Sequence, residues 1–404
     1  MAETTKSRST ALVSKEYMVP FALITSLFFL WGFARSILDV LNKHFQDTFE
    51  MTRTQSSLIQ VSVYLAYFLM AIPAGLYINR KGYRRGVVFG LILYAIGALL
   101  FIPSDLSMSF GAFLVSLFVL GCGLVFLETA ANPYVTELGS PATAASRLNL
   151  SQSFNGLGCI CGPFIGGMLL FPDSGHAQVA LPYAVMGVVV FAVALVFTRV
   201  KLPEIKLIDA ESSNRGEPSI LGLWSKHRFV FGLVALFCYE IAEISINTFF
   251  INYVTDDGWL DVRSASMFLA FGGLGLFMLG RVIGSFVMSR IAAEKVLLVC
   301  GIVTVACTLL IVLNMGVLSK VALPVCYLFE SIMFPTVFAI SLKGLGHFTK
   351  RAASFLMMTP IGGAVGAFLM GYVGDLAGMS NAFMVPMIGY AVVMCFAAWA
   401  KKAK

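Results

Sequence analysis

Carboxylates and arginines stand inside the most apolar stretches of this sequence. Arg35 and Asp39 lie in "FLWGFARSILDVLNKHF", and Glu128 and Asn132 in "LETAANPYVTELG". Asn149, Gln152 and Asn155 follow in "RLNLSQSFNGLG", and Glu240, Glu243, Asn247 and Asn252 in "YEIAEISINTFFIN"; Arg281 and Glu330 complete the set. Apart from Asn252, five residues beyond Asn247, each group recurs at three- or four-residue spacing, which puts it on one helix face. A charge at the centre of a membrane helix costs roughly 2.5–3.5 kcal/mol on insertion scales, so each needs a partner or a task. Carboxylates bind and release protons, and with amides they take hydroxyls in paired hydrogen bonds. Trp31, one turn before Arg35, adds a ring to the same face.

Structural roles compete with these. Arg35 and Asp39, at i and i+4, can neutralise one another. The asparagines and the glutamine can serve as hydrogen-bond glue between helices, worth about 0.6 kcal/mol each. Arg281 and Glu330 read as structural or gating residues, and Gly158, Gly162, Gly166 and Gly167 as close helix contacts. Asp39 and Glu128 resist this reading, because two acids in the first half share one intramembrane arginine and one carboxylate is left free to exchange a proton. All four histidines fall in loops or at the ends of apolar runs, so a proton crossing the membrane would ride on carboxylates.

The elements that must position these groups are membrane spans. Hydrophobic residues make up 58% of the 404 residues and charged ones only 12%, against about 25% in soluble domains; mean hydropathy is +0.87. Apolar runs long enough to cross a bilayer predict twelve helices, at 17–42, 55–78, 86–103, 109–136, 147–170, 180–199, 228–254, 264–289, 296–314, 320–344, 352–374 and 381–400. The polar start "MAETTKSRSTALVSKEY" does not read as a removable signal peptide. The eight cysteines fall inside the spans and lack ligand spacing with a histidine, so neither disulfides nor a metal nor another cofactor is expected. No nucleophile–base arrangement is present either, and an enzyme is not expected.

Most of the 28 lysines and arginines fall in the N-tail, the even-to-odd loops and the C-tail. The positive-inside rule then predicts a multi-pass protein of the cell membrane, an inner membrane in a Gram-negative cell, with both termini cytoplasmic. Anionic lipid at that face accounts for the net charge of +7 without nucleic acid.

The polar stretch 200–227 divides the chain into halves, 1–199 and 228–404. The halves repeat. The interval from Ser57 through Phe68 to Gly75 recurs as Ser266, Phe277 and Gly284, and Glu128 with Pro133 recurs as Glu330 with Pro335. Arg147 precedes Gly158, Gly162 and Gly166 as Arg351 precedes Gly362, Gly366 and Met370. Two parallel six-helix repeats with a midplane site between them are the architecture of the major facilitator superfamily. The expected fold is therefore all-α and integral to the membrane, with twelve transmembrane helices in two pseudo-symmetric halves.

Within that superfamily the motifs "LFFLWGF…LDVL", "LETAANPYVTELG", "RLNLSQSFNGLG" and "FPTVFAISLKGLG" resemble those of the fucose–galactose–glucose:proton symporter family, and the resemblance spans nearly the whole chain. It implies that Asp39 and Glu128 are the proton-coupling and sugar-binding carboxylates, and that Asn132, Gln152 and Asn155 face the sugar. Glu243 stands where many members carry an acid or amide. Fucose-type members have asparagines around the first aspartate, where this chain has Arg35, Ser36 and Leu38. In the loop after span 2, Asn79 replaces the usual acid before Arg80 in "NRKGYRR".

The expected function is import of a monosaccharide such as fucose, glucose or galactose by alternating access, coupled to protons, with sodium the alternative ion. The expected sugar contacts are Trp31, Arg35, Glu128, Asn132, Gln152, Asn155, Glu243 and Asn247, in a protein acting as a monomer. An anionic sugar clamped by Arg35 is the alternative substrate. A cation or drug antiporter fits less well, having no use for Arg35.

Overall fold

A computed structural model describes residues 13, 15–139, 144–172, 179–200, 221–256, 258–288 and 290–402. The central loop expected at 200–227 and His176 lie largely or wholly outside the described residues. Twelve helices are long and apolar enough to cross a membrane: α1 (Met18–Phe49), α2 (Arg53–Lys81), α3 (Tyr83–Leu106), α4 (Phe110–Glu137), α5 (Leu150–Leu170), α6 (Ala180–Arg199), α7 (His227–Asp256), α8 (Val262–Met288), α9 (Ala293–Val312), α10 (Val317–Leu342), α11 (Ala352–Ala377) and α12 (Met379–Lys402). Among the described residues there is no strand.

The ends of these helices differ most from expectation where polar residues continue a helix beyond its apolar run. Span 1 was expected to stop at residue 42. Its helix instead runs two turns further, carried by the Lys43–Asp47 pair at 2.8 Å and ended by Glu50 in the left-handed region. His44 therefore lies within the helix, 6% exposed, with its ring nitrogen 3.2 Å from the Thr48 hydroxyl. Hydropathy marks the membrane, and capping marks the helix end. Local caps set other starts: Thr52 and Gln55 form a reciprocal capping box before α2, and Asp261 accepts the Ser264 N–H at 3.0 Å before α8.

Small residues allow close helix packing, and they do so equivalently in both halves. A Cβ on Gly158 or Gly162 would collide with α1, at Phe29 and at Ser36 and Ile37; one on Gly362 or Gly366 would collide with α7, at Phe237 and Ile241. The glycines repeated in the sequence thus hold α5 against α1 and α11 against α7.

Three spans are irregular within their length. α8 contains a π-helical stretch, Leu269–Leu274. α10 breaks between Glu330 and Met333, and α11 between Leu356 and Ile361. At the α10 break Pro335 has no N–H to offer the Ser331 carbonyl, which accepts the Arg281 Nε hydrogen bond at 3.3 Å instead. Irregular backbone at membrane depth is tolerated where it is buried or lines a cavity.

The two halves meet at the face opposite the N-terminus. Arg53, which opens α2, reaches Asp256 at the end of α7 at 2.6 Å and the Gly374 carbonyl of α11 at 3.2 Å. The Asp375 carboxylate accepts the backbone N–H groups of Arg53 and Thr54 at 2.9 and 2.8 Å, and the Thr54 hydroxyl at 2.6 Å. Deeper, Gln46 of α1 exchanges amide hydrogen bonds with Asn252 of α7, and Asn42 donates to the Thr248 carbonyl at 3.1 Å.

Candidate functional site

Beneath that seam lies a cavity of about 580 Å³ between the halves, within the size range of small-molecule sites. α1 contributes Arg35, Ser36 and Asp39; α2 contributes Gln60 and Tyr64; α5 contributes Gln152, Asn155 and Cys159. From the second half come Glu243 and Asn247 on α7, and Leu274, Phe277, Arg281 and Ser285 on α8. The wall extends toward the N-terminal face through Gln152 and Ser153 at the start of α5 and Ser285 and Phe286 near the end of α8. The protein is thus sealed on the far face and hollow toward the face that carries its termini.

Six residues expected from the sequence line this cavity together: Arg35, Asp39, Gln152, Asn155, Glu243 and Asn247. Three do not. Trp31 is 4% exposed with its ring centroid 4.2 Å from that of Phe28, so in this conformation it is packed within the first half. Asn132 stands one hydrogen bond behind the wall, accepting from Gln152 Nε2 at 3.3 Å. Glu128 is not among the wall residues either; it accepts a hydrogen bond from the hydroxyl of Tyr67, itself outside the wall, at 3.1 Å. The side chain of Asn149 lies outside the described residues.

Arg35 and Asp39 share a helix face, yet they do not form within 4.0 Å the i,i+4 pair that their spacing allows. Arg35 turns to the Tyr64 hydroxyl at 3.0 Å, with its guanidinium 5.4 Å from that ring's centroid, and across the halves to Glu240 at 4.0 Å. The Asp39 carboxylate accepts a hydrogen bond from the Gln60 amide at 3.0 Å instead. A neutral amide satisfies either protonation state of a carboxyl group, whereas a guanidinium favours the ionised one. Asp39 is 6% exposed, at the boundary between cavity and core.

Gln60 and Tyr64 were missed by the sequence reading. They had a signal, an amide and a phenol one turn apart in an apolar span, but neither carries charge. Arg281, taken as structural or gating, stands in the cavity wall with its guanidinium 4.7 Å from the Phe277 ring centroid. Glu330, the repeat partner of Glu128, is fully buried and accepts a hydrogen bond from the Tyr390 hydroxyl. On the second half's wall, Asn247 accepts from Tyr327 at 2.7 Å, which leaves its amide N–H groups for a ligand.

Two six-helix halves joined at one membrane face, around a polar cavity that holds a carboxylate without a cationic partner, define a secondary transporter. The chain belongs to the major facilitator superfamily, whose profile matches residues 24–356. It is 34% identical to the L-fucose-proton symporter of Escherichia coli (strain K12), over 95% of this chain and 93% of that protein. It is 36% identical to a glucose/galactose transporter of Brucella abortus biovar 1 (strain 9-941), over 94% of this chain and 93% of that one. Its backbone is similar to the crystal structure of FucP, a transporter of this superfamily in the outward conformation, with a TM-score of 0.70 at 34% identity, covering 96% of this chain and 99% of the other.

Proposed function

We propose that this protein imports a monosaccharide together with a proton by alternating access. The observation that carries the reading is the placement of Asp39: in the cavity wall, hydrogen-bonded by Gln60, and without an ion pair to Arg35. Such a carboxyl group can load and release a proton while Gln152, Asn155, Glu243 and Asn247 hold sugar hydroxyls from both halves. Glu128 relays through Tyr67, and Asn132 orients Gln152. The similarity to an L-fucose-proton symporter and a glucose/galactose transporter supports a neutral hexose or deoxyhexose as substrate.

In the membrane the protein works as a monomer; the distribution of its basic loops supports both termini being in the cytoplasm. The cavity described above is then the cytoplasm-facing state, and the Arg53–Asp256–Asp375 seam is the closed outer gate. A second reading rests on the position of Arg35 in the wall with about a third of its side chain exposed: an anionic sugar would draw the guanidinium away from Glu240.

The test is initial uptake of labelled fucose, glucose, galactose and glucuronate into vesicles of purified protein, under an imposed pH gradient or an imposed sodium gradient. Accumulation of a neutral sugar driven by the pH gradient alone is expected. Accumulation driven only by sodium would overturn proton coupling. Uptake of glucuronate to the exclusion of neutral sugars would replace the first substrate reading with the second.

A further inference from the structure

The basic stretch "NRKGYRR" between α2 and α3 is not used by the transport cavity. It lines a second cavity of about 470 Å³ on the outer surface of the first half, between the end of α2, the start of α3 and the end of α6. Arg84 builds its floor by donating to the last carbonyls of α6, to Phe197 at 3.1 Å and to Thr198. Lys81 and Arg85 also line the cavity, both exposed, and among the described residues neither has a carboxylate within 4.0 Å. The stretch holds four cations, Arg80, Lys81, Arg84 and Arg85, and no acid. Gly82, with φ of 86°, begins α3 without a side-chain cap.

The upper wall of the same cavity is apolar. Arg85, Phe89 and Ile92 follow one face of α3, and Phe89 and Ile92 are 37% and 38% exposed toward the surrounding membrane. Tyr77 of α2 stacks on Phe89 at 5.3 Å between centroids and closes the side. A soluble anion has no use for this stripe. A molecule with an anionic head and an alkyl body fits both parts at once.

We propose that this cavity is a binding site for an anionic phospholipid, with the phosphate between Lys81 and Arg85 and an acyl chain along Phe89 and Ile92. Cations at a membrane surface attract anionic lipid diffusely; two cations over an apolar groove, at the level of the headgroups, retain one molecule. Because the site joins α2, α3 and α6 on the side away from the transport cavity, its occupant braces the first half rather than competing with substrate.

Native mass spectrometry of the full-length protein in detergent, titrated with phosphatidylglycerol or phosphatidylcholine, tests this directly. One phosphatidylglycerol is expected to bind more tightly than phosphatidylcholine and to resist millimolar inorganic phosphate. Lys81→Gln with Arg85→Gln should weaken phosphatidylglycerol about thirtyfold, from about five- to sixfold for each cation near a membrane surface, and leave phosphatidylcholine unchanged. Lys401→Gln with Lys402→Gln, which removes the same charge from the end of α12, should leave the tight lipid in place. Equal loss in both double variants would reduce the effect to diffuse surface attraction and overturn the site. So would unchanged affinity in the first variant, or displacement of the lipid by inorganic phosphate, which would make this a soluble-anion site. Retained sugar uptake by the first variant in phosphatidylcholine vesicles establishes that it is folded.

Discussion

At the residue scale, the decisive arrangement is the division of labour around α1. The sequence shows Arg35 and Asp39 one turn apart, and spacing alone favours their pairing. Tertiary partners prevail instead: Tyr64 and Glu240 take the cation, and Gln60 takes the acid. The identity of the acids was legible because charge inside an apolar run is conspicuous. The identity of their partners was not, because Gln60 and Tyr64 are uncharged and depend on how α2 crosses α1. We expect Asp39→Asn to abolish accumulation against a gradient while exchange of sugar across the membrane at equal concentrations persists. Exchange needs the wall and the change of state, whereas accumulation needs a group that titrates. Paired uphill-uptake and counterflow measurements check this, and accumulation by Asp39→Asn at the normal level would remove Asp39 from the coupling step. Glu128→Gln is expected to lose both activities. It accepts the Tyr67 hydroxyl, and a glutamine there keeps an acceptor for that phenol but loses the carboxylate's charge and its ability to titrate and brings in an N–H₂ donor.

At the scale of elements, the spans were legible almost throughout, since a bilayer demands long apolar helices and short loops. What hydropathy could not give is where helices cross, bend or meet their counterparts in the other half. The repeated glycines announced close helix contacts but not their partners, α1 for α5 and α7 for α11, and the seam at Arg53 had no sequence signal, because Arg53, Asp256 and Asp375 are surface charges far apart in the chain. This seam is an exposed network, so its worth as stability is small; individual surface ion pairs contribute about 0–1 kcal/mol. Its consequence is geometric, since an opening on that face must part Thr54 from Asp375. Thr54→Cys with Asp375→Cys, joined by a short reducible cross-linker, is expected to arrest uptake, and reduction to restore it. Full transport by the cross-linked protein would show that the halves do not separate there.

At the scale of the whole molecule, pseudo-symmetry of the skeleton is combined with asymmetry of the polar load. Glu128 and Glu330 are repeat partners and each accepts a tyrosine hydroxyl, but Glu128 is only partly buried while Glu330 is sealed in the second half. The cavity is closed at Asn42, Gln46 and Arg53 and extends to Ser285 and Phe286 at the other face. Alternating access requires that these two conditions exchange, so a reporter at Ser285 reads the state of the entire protein. With the partly accessible native thiols Cys159, Cys161, Cys238 and Cys395 replaced by serine, Ser285→Cys is expected to react with a membrane-impermeant maleimide from the face that carries the termini. The Thr54–Asp375 cross-link should hold that reactivity at its maximum, because it fixes the far face shut. Saturating transported sugar should slow the reaction, by filling the cavity and by moving molecules toward the opposite state. If Ser285→Cys reacted equally fast with and without sugar, and equally fast with and without the cross-link, then this cavity would not be the vestibule of the transport path.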